Sequence, residues 1–135
     1  MAYFDLDGLG LDMKRVILFE RNHGVRFVLE RSLEKFKGEI EIRSVQTISE
    51  AKQIVDEESA DLLITELSHE RSNGLEITRY VHRQHPDVKI IWVTVMGCDQ
   101  LQQQKSQLGV VQCIEKPLEI ETFREDVLQA LTSPA

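Results

Sequence analysis

Five short apolar runs, rich in Val, Ile and Leu, alternate along the chain with longer segments whose apolar residues recur every three or four positions. Runs of this length indicate β-strands, and the longer period indicates helices. Because strand and helix alternate, the pattern predicts an α/β domain with a parallel sheet. The predicted strands are residues 16–20, 40–45, 62–66, 89–94 and 110–115.

Four of these runs are almost continuously apolar, as expected for parallel strands that helices cover on both faces. The second run differs, because apolar and polar residues alternate along it, which predicts a half-exposed strand at the edge of the sheet. Right-handed crossovers between five such strands give a doubly wound five-stranded parallel sheet, most simply in the order 2-1-3-4-5, with helices on both faces.

The first and last helices are predicted most clearly, one after Asn22 and one near the C-terminus. Thr47 or Ser49 is expected to cap the second helix, and Asn73 is expected to cap the third. The apolar residues at helical spacing in the first and last helices are Val25, Val28, Leu29, Leu33, Phe36, Phe123, Val127 and Leu131.

The fourth predicted helix, between Cys98 and Gly109, has few side chains that can hold it on the core. Only Leu101 and Leu108 are apolar in this segment, and they stand among several glutamines. We therefore expect this helix to be weakly packed, with an outer face that is free to contact a partner.

The chain has 135 residues, which is enough for one domain with a single sizeable core and too few for two. Residues 1–14 show no sustained period and predict a poorly ordered leader, followed by the domain at residues 15–132 and a tail at residues 133–135. No apolar run approaches the roughly 18 residues of a membrane span, and the N-terminus lacks a signal-peptide pattern. We therefore expect a cytoplasmic protein without a membrane partner.

The net charge is −7, which opposes binding to a polyanion because phosphate contacts need clustered Lys and Arg. We therefore expect no direct nucleic-acid binding by this domain. The two cysteines, Cys98 and Cys113, form neither a CxxC motif nor a dense disulfide framework, and we expect reduced, packed thiols. The histidines show no ligand spacing with cysteines or carboxylates, so we expect no metal site.

Charged and polar side chains stand at the carboxyl ends of four predicted strands. Glu20 and Arg21 end or follow the first strand, and Glu66 ends the third. Thr94 ends the fourth strand, and Lys116 follows the fifth. In a doubly wound sheet the functional crevice lies beyond these strand ends, where the strand order reverses. We therefore expect the five side chains to converge on one site.

With this ordered set of strand-end residues, the chain resembles the receiver domains of two-component response regulators over residues 15–132. In that family two acidic residues after strand 1 bind Mg²⁺, an Asp after strand 3 becomes an aspartyl phosphate, and a Thr or Ser with a Lys holds the phosphoryl group. The resemblance implies that Glu20, Thr94 and Lys116 occupy the first acidic, hydroxyl and Lys positions. The other residues that carry the resemblance are Gly74, Leu75, Glu76, Gly109 and Pro117.

Several residues depart from the family pattern, and the departures agree with one another. Arg21 stands where the family places its principal metal-binding acid, and a guanidinium repels Mg²⁺. Glu66 replaces the phosphoacceptor Asp, and its extra methylene displaces the nucleophile from the in-line geometry. Val95 replaces a small residue beside the phosphoryl pocket, and Cys113 replaces the switch Tyr or Phe. Residues 68–71 also lack the Pro common in the loop after strand 3.

The resemblance and its departures predict a degenerate pseudo-receiver, a phosphorylation-independent protein-interaction module in a two-component-type pathway. We expect no enzymatic activity, no catalytic residues and no cofactor. Two alternatives stay open: a receiver that is still phosphorylated at low efficiency, and a small flavodoxin-like enzyme or nucleotide binder. The second needs a phosphate-binding loop, whereas residues 20–24 hold one Gly and no GxGxxG pattern.

The expected partner is a protein, either a signalling protein or a histidine kinase. The resemblance directs it to the face formed by the fourth helix, the fifth strand and the fifth helix, which is also the expected face of a homodimer.

At the degenerate phosphoacceptor site, Arg21 and Lys116 are expected to flank Glu66 and to supply in fixed form the positive charge that accompanies a phosphoryl group. Thr94 is expected to donate a hydrogen bond to Glu66. These contacts would mimic the phosphorylated state and hold the domain in one conformation.

Overall fold

A parallel sheet of five strands forms the centre of the molecule, in the order β2-β1-β3-β4-β5. The structure is a computed structural model, and it describes residues 13–68 and 73–133. All neighbouring strands pair in parallel, so the predicted fold class and strand order are confirmed. The strands are β1 (Lys14–Phe19), β2 (Ile40–Val45), β3 (Leu62–Leu67), β4 (Lys89–Thr94) and β5 (Val110–Glu115).

Helices follow each strand and cover both faces of the sheet. A 3-10 segment, Glu34–Phe36, follows the first helix, so Phe36, which was predicted to lie in that helix, lies beyond its end but is still buried. A second 3-10 segment, Cys98–Leu101, precedes the fourth helix. The helices are α1 (His23–Leu33), α2 (Ile48–Glu57), α3 (Asn73–Gln84), α4 (Gln102–Gln107) and α5 (Ile120–Thr132).

Successive residues of β1 pack on opposite faces of the sheet. Ile17 and Phe19 belong to the core cluster that contains α2 and α3 residues, whereas Val16 and Leu18 belong to the cluster that contains α1 and α5 residues. Because both faces are buried, nearly every position of a central strand must be apolar. The edge strand β2 is different: only its ends, Ile40 and Val45, are buried, as its alternating sequence predicts.

Side chains fix the first turns of α1 and α2. The Asn22 side chain accepts a hydrogen bond from the backbone N–H of Val25, at 2.9 Å. Of the two candidate caps for α2, Thr47 is the one used, and it forms a capping box with Glu50. Each cap satisfies backbone donors that the helix leaves without a partner, which stabilises a helix by about 0.5–2 kcal/mol.

Gly74 allows the first turn of α3 to approach the end of β3. A Cβ atom on Gly74 would lie 1.8 Å from the carbonyl oxygen of Glu66, so no larger residue fits without moving the backbone. Because Gly74 has no side chain, the start of α3 can pack closely against the strand that carries Glu66.

The fourth helix is weakly attached, as predicted. No residue of α4 is buried, and the segment is anchored by Leu101, which is buried just before the helix, and Leu108, which is half-buried just after it. The prediction of reduced thiols is wrong, because Cys98 and Cys113 form a disulfide with their Cα atoms 6.0 Å apart. The fold creates this proximity: the chain leaving β4 turns over the end of its neighbour β5.

Several predicted boundaries shift by one or two residues. Lys14 is the first residue of β1 and not the end of a leader, Glu20 follows β1, and β3 continues to Leu67. Residues 1–12 of the predicted leader, residues 134–135 of the predicted tail, and the loop at residues 69–72 lie outside the described residues. Within the described ranges, no helix is long and apolar enough to cross a membrane.

Candidate functional site

The carboxyl ends of the five parallel strands lie on one side of the sheet, and four of these ends carry the five predicted site residues. Glu20 and Arg21 follow β1, Glu66 is the penultimate residue of β3, Thr94 is the last residue of β4, and Lys116 follows β5. Two ion pairs connect four of them, one between Lys116 and Glu20 and one between Arg21 and Glu66. The convergence was predicted, but the pairing of Lys116 was not.

Glu20 is the buried charge of the site. Its side chain is 1% exposed, and Oε2 accepts hydrogen bonds from the backbone N–H of Asn22, at 3.1 Å, and from Lys116 Nζ, at 3.2 Å. The second oxygen, Oε1, lies 3.1 Å from the same Nζ, but no donor among the described residues is aligned to hydrogen-bond it. The charge of Glu20 is therefore paired with Lys116, whereas its Oε1 atom accepts no hydrogen bond from the described residues.

Burial controls the protonation of Glu20. Removal from solvent raises the pKa of this carboxyl, the hydrogen bonds from Asn22 and Lys116 lower it, and the nearby negative charge of Glu66 raises it further. The net effect is a raised pKa. Desolvation therefore outweighs the attraction to Lys116, which is the usual difficulty of a buried ion pair.

The pair between Arg21 and Glu66 is more open to solvent. The backbone N–H of Arg21 donates to Glu66 Oε2 at 3.2 Å, and Arg21 Nε lies 3.6 Å from the same oxygen. The Arg21 side chain is 61% exposed, whereas that of Glu66 is 15% exposed. An exposed guanidinium contributes little to an ion pair, so the backbone of Arg21 does more than its side chain to position Glu66.

Thr94 is buried, and its hydroxyl forms hydrogen bonds with two backbone groups. The hydroxyl donates to the carbonyl oxygen of Leu67 and accepts from the backbone N–H of Met96, at 2.9 Å. Its single proton is therefore directed at Leu67, and the expected hydrogen bond from Thr94 to Glu66 is not formed.

We expected two cations, Arg21 and Lys116, to flank Glu66, and this prediction is wrong for Lys116. Arg21 contacts Glu66, but Lys116 makes its ion pair and its hydrogen bond with Glu20. The physical reason is burial: a carboxylate with 1% exposure needs a compensating charge more than one with 15% exposure. The predicted mimic of a phosphorylated site is therefore not assembled around Glu66.

The residues of this edge do not fit the Mg²⁺ ion that the receiver family implies. Mg²⁺ needs several oxygen donors in octahedral geometry, and Glu20 is already engaged by an ammonium group. Arg21 places a positive charge beside Glu66, the other carboxylate. In the ranges 13–68 and 73–133, no three His, Cys, Asp or Glu side chains form a group that could hold a metal ion.

Sequence patterns did not indicate three further features of the site. The carbonyl oxygen of Leu67 receives the Thr94 hydroxyl, the backbone N–H of Asn22 binds Glu20, and Cys98 is linked to Cys113. The first two are backbone groups, which every residue carries, so residue type does not reveal them. Val95, which replaces the small residue of the family pattern, has a side chain that is 66% exposed.

Known proteins with similar sequences are response regulators and related phosphotransfer proteins. The response regulator protein PilR of Pseudomonas aeruginosa is 24% identical over 121 residues, which are 90% of this chain but only 27% of PilR. The receiver protein CpdR of Brucella abortus is 24% identical over 88% of this chain and 98% of its own length. Sporulation initiation phosphotransferase F of Bacillus subtilis is 22% identical over 87% of this chain and 94% of its own length.

Solved structures share the fold. The signal receiver domain of a LuxO repressor protein from Vibrio parahaemolyticus superposes with a TM-score of 0.78, at 20% identity, over 89% of this chain and 91% of its own. A response regulator from Thermotoga maritima has the same TM-score and identity, over 90% of this chain and all of its own. At this identity the likeness establishes the fold alone.

The family model described as the response regulator receiver domain matches residues 16–128, which include all five strands of the sheet except the first two residues of β1. The matched region also contains every residue of the strand-end site. The chain therefore belongs to the response regulator receiver domain family of two-component signal transduction.

Proposed function

We propose that this receiver domain is a pseudo-receiver, a protein-interaction module that signals in a two-component-type pathway without being phosphorylated. The observation that carries the proposal is the state of the five strand-end residues. Two of them, Arg21 and Glu66, differ in chemistry from the family pattern, and the other three are engaged with partners inside the protein. The domain is proposed to act as a signalling module and not as an enzyme.

The first support for the proposal is Glu66, which stands at the phosphoacceptor position of the family. Glu66 carries one more methylene than Asp, and its Oε2 accepts a hydrogen bond from the backbone N–H of Arg21. Attack on a phosphoryl donor requires the nucleophile within a narrow range of distance and angle. A longer side chain that is held by the neighbouring strand end meets that requirement poorly.

Charge stabilisation supports the proposal next. Phosphoryl transfer depends on cations that neutralise the oxygens of the transferring group, and a metal ion usually supplies most of that charge. Here the donor set does not suit Mg²⁺, and Lys116 is committed to Glu20 at 3.1 Å. Thr94 donates its proton to Leu67. A phosphoryl group on Glu66 would therefore have to displace existing contacts of both residues.

One observation favours the alternative of inefficient phosphorylation. Glu66 is 15% exposed, so a small phosphodonor can reach its carboxylate, and Thr94 and Lys116 are still present at the site. Membership of the receiver family favours either signalling function over a flavodoxin-like enzyme.

The proposed partner surface is the face formed by α4, β5 and α5. No residue of α4 is buried, and Val111 of β5 is 42% exposed. Side chains that are not committed to the core are available to a partner, which we propose to be a signalling protein, a histidine kinase or a second copy of the chain. A second copy would use the same patch on both molecules.

The first prediction concerns phosphate uptake. The full chain, incubated with Mg²⁺ and acetyl phosphate, is expected to gain no phosphate, because neither the acceptor nor the metal ligands fit the reaction. Intact-mass spectrometry measures the gain. Glu66→Gln is the matched control, since it removes the nucleophile and keeps the shape of the side chain. A Mg²⁺-dependent phosphate that is absent from Glu66→Gln would overturn the proposal in favour of inefficient phosphorylation.

The second prediction compares the two ion pairs. A double-mutant cycle with Glu20→Gln and Lys116→Met is expected to yield a coupling of about 1–3 kcal/mol in the free energy of unfolding, because both side chains are largely buried. The matched cycle with Arg21→Ala and Glu66→Ala is expected to yield less than about 1 kcal/mol, because Arg21 is mostly exposed. Urea denaturation measures both. The reverse order of couplings would mean that Glu66 and not Glu20 organises the site.

The third prediction follows from the raised pKa of Glu20. The folded state holds the Glu20 proton more tightly than the unfolded chain, whose Glu has a pKa of 4.5. The resulting stabilisation is complete below that pKa and is lost as the pH rises through the raised pKa of the folded state. Glu20→Gln does not titrate, so it should gain stability relative to the native chain as the pH rises from about 4 to about 8.

Urea midpoints across this pH interval measure the difference. The double-mutant cycle measures only the interaction between Glu20 and Lys116, because the desolvation cost of Glu20 by itself cancels from it. A favourable coupling is therefore compatible with a raised pKa of Glu20, which includes that desolvation. A variant that instead loses stability relative to the native chain as the pH rises would show that Lys116 lowers the pKa of Glu20 more than burial raises it.

A further inference from the structure

The disulfide between Cys98 and Cys113 joins two elements that are separate in sequence. Cys98 is the first residue of the 3-10 segment that leads into α4, and Cys113 lies within β5. The two residues are 15 positions apart, and their Cα atoms are 6.0 Å apart. The bond therefore attaches the start of the α4 segment directly to the sheet.

This attachment has few other contacts to reinforce it. No residue of α4 is buried, so the helix itself adds no apolar anchor. At its start, the backbone N–H of Cys98 donates to Glu115 Oε2 at 3.0 Å, and the apolar anchors are Leu101, buried just before the helix, and Leu108, half-buried just after it. A helix with so little buried surface depends strongly on any covalent tie, because the tie removes much of the freedom of the detached segment.

The position of the bond suits reversible cleavage. Both cysteines are half-buried and neither belongs to the buried residues of the core clusters, so we expect a small thiol to reach the bond. The two core clusters are built from other strand and helix residues, with Cys113 packed only at the margin of one of them. Cleavage is therefore expected to release α4 without unfolding the sheet.

We propose that Cys98 and Cys113 form a thiol–disulfide exchange site, through which a low-molecular-weight thiol and its disulfide control the attachment of α4 to β5. Reduction consumes two small thiols: the first attacks one sulfur and forms a mixed disulfide, and the second releases the protein thiol and leaves as the small-molecule disulfide. Oxidation is the reverse, with both cysteine protons passing to the two small thiols. This site acts whether or not Glu66 takes up phosphate.

The experiment equilibrates the full chain in mixtures of glutathione and glutathione disulfide. Alkylation and mass spectrometry count the free thiols, and hydrogen–deuterium exchange follows the amides of Gln102–Gln107 and of β1 and β3. Two thiols are expected in the reducing mixture and none in the oxidising one. Reduction is expected to speed exchange in α4 by about tenfold or more and to leave the β1 and β3 amides unchanged, because opening is local.

Three variants make the result specific. Cys98→Ser and Cys113→Ser are each expected to show the faster α4 exchange in both mixtures; Cys98→Ser lies in the turn and does not alter the sheet. Glu115→Gln is the matched control, since it weakens the second tie of Cys98 and keeps both sulfurs, and it should retain the redox-dependent difference. Equal α4 exchange in both mixtures, thiols that stay reduced throughout, or a disulfide between two chains on a non-reducing gel would each overturn the proposal.

Discussion

A carboxylate that is almost completely withdrawn from solvent needs a compensating charge, and Glu20 meets that need by recruiting Lys116 from another strand end. The two residues follow β1 and β5, which are not neighbours, because β3 and β4 lie between them. The ion pair therefore crosses the crevice at the carboxyl ends of the strands. It also holds the chain after β1, where the backbone N–H of Arg21 contacts Glu66. Most of the site geometry depends on this one buried charge.

The chain that leaves β4 is held at three successive points. Thr94 donates to the carbonyl of Leu67, Met96 donates to Thr94, and Cys98 is linked to β5 through Glu115 and the disulfide. These contacts hold the segment between the end of β4 and the 3-10 segment that leads into α4.

The fold was predictable because it depends on the order of apolar and polar residues along the sequence. The apolar runs of the central strands, the alternation in β2 and the sparse apolar content near α4 each follow from which faces are buried. The convergence of the site residues followed from strand order. The interaction partners of these residues could not be predicted. Lys116 pairs with Glu20 because Glu20 is buried, and Thr94 donates to the backbone carbonyl of Leu67, which residue type does not reveal. The disulfide depends on how the chain turns after β4, which residue spacing does not encode.

The proposal that this domain is not phosphorylated rests mainly on Arg21 and Glu66, and changing both residues to Asp tests it most directly. Arg21→Asp with Glu66→Asp recreates an acidic pair after β1 and the shorter acceptor after β3. With Mg²⁺ and acetyl phosphate, this double variant is expected to gain one phosphate by intact-mass spectrometry, whereas Glu66→Asp alone gains none because Arg21 still repels the metal. If the double variant folds and stays unmodified, or if the single variant is modified equally well, the proposal that Arg21 and Glu66 together prevent phosphorylation is contradicted.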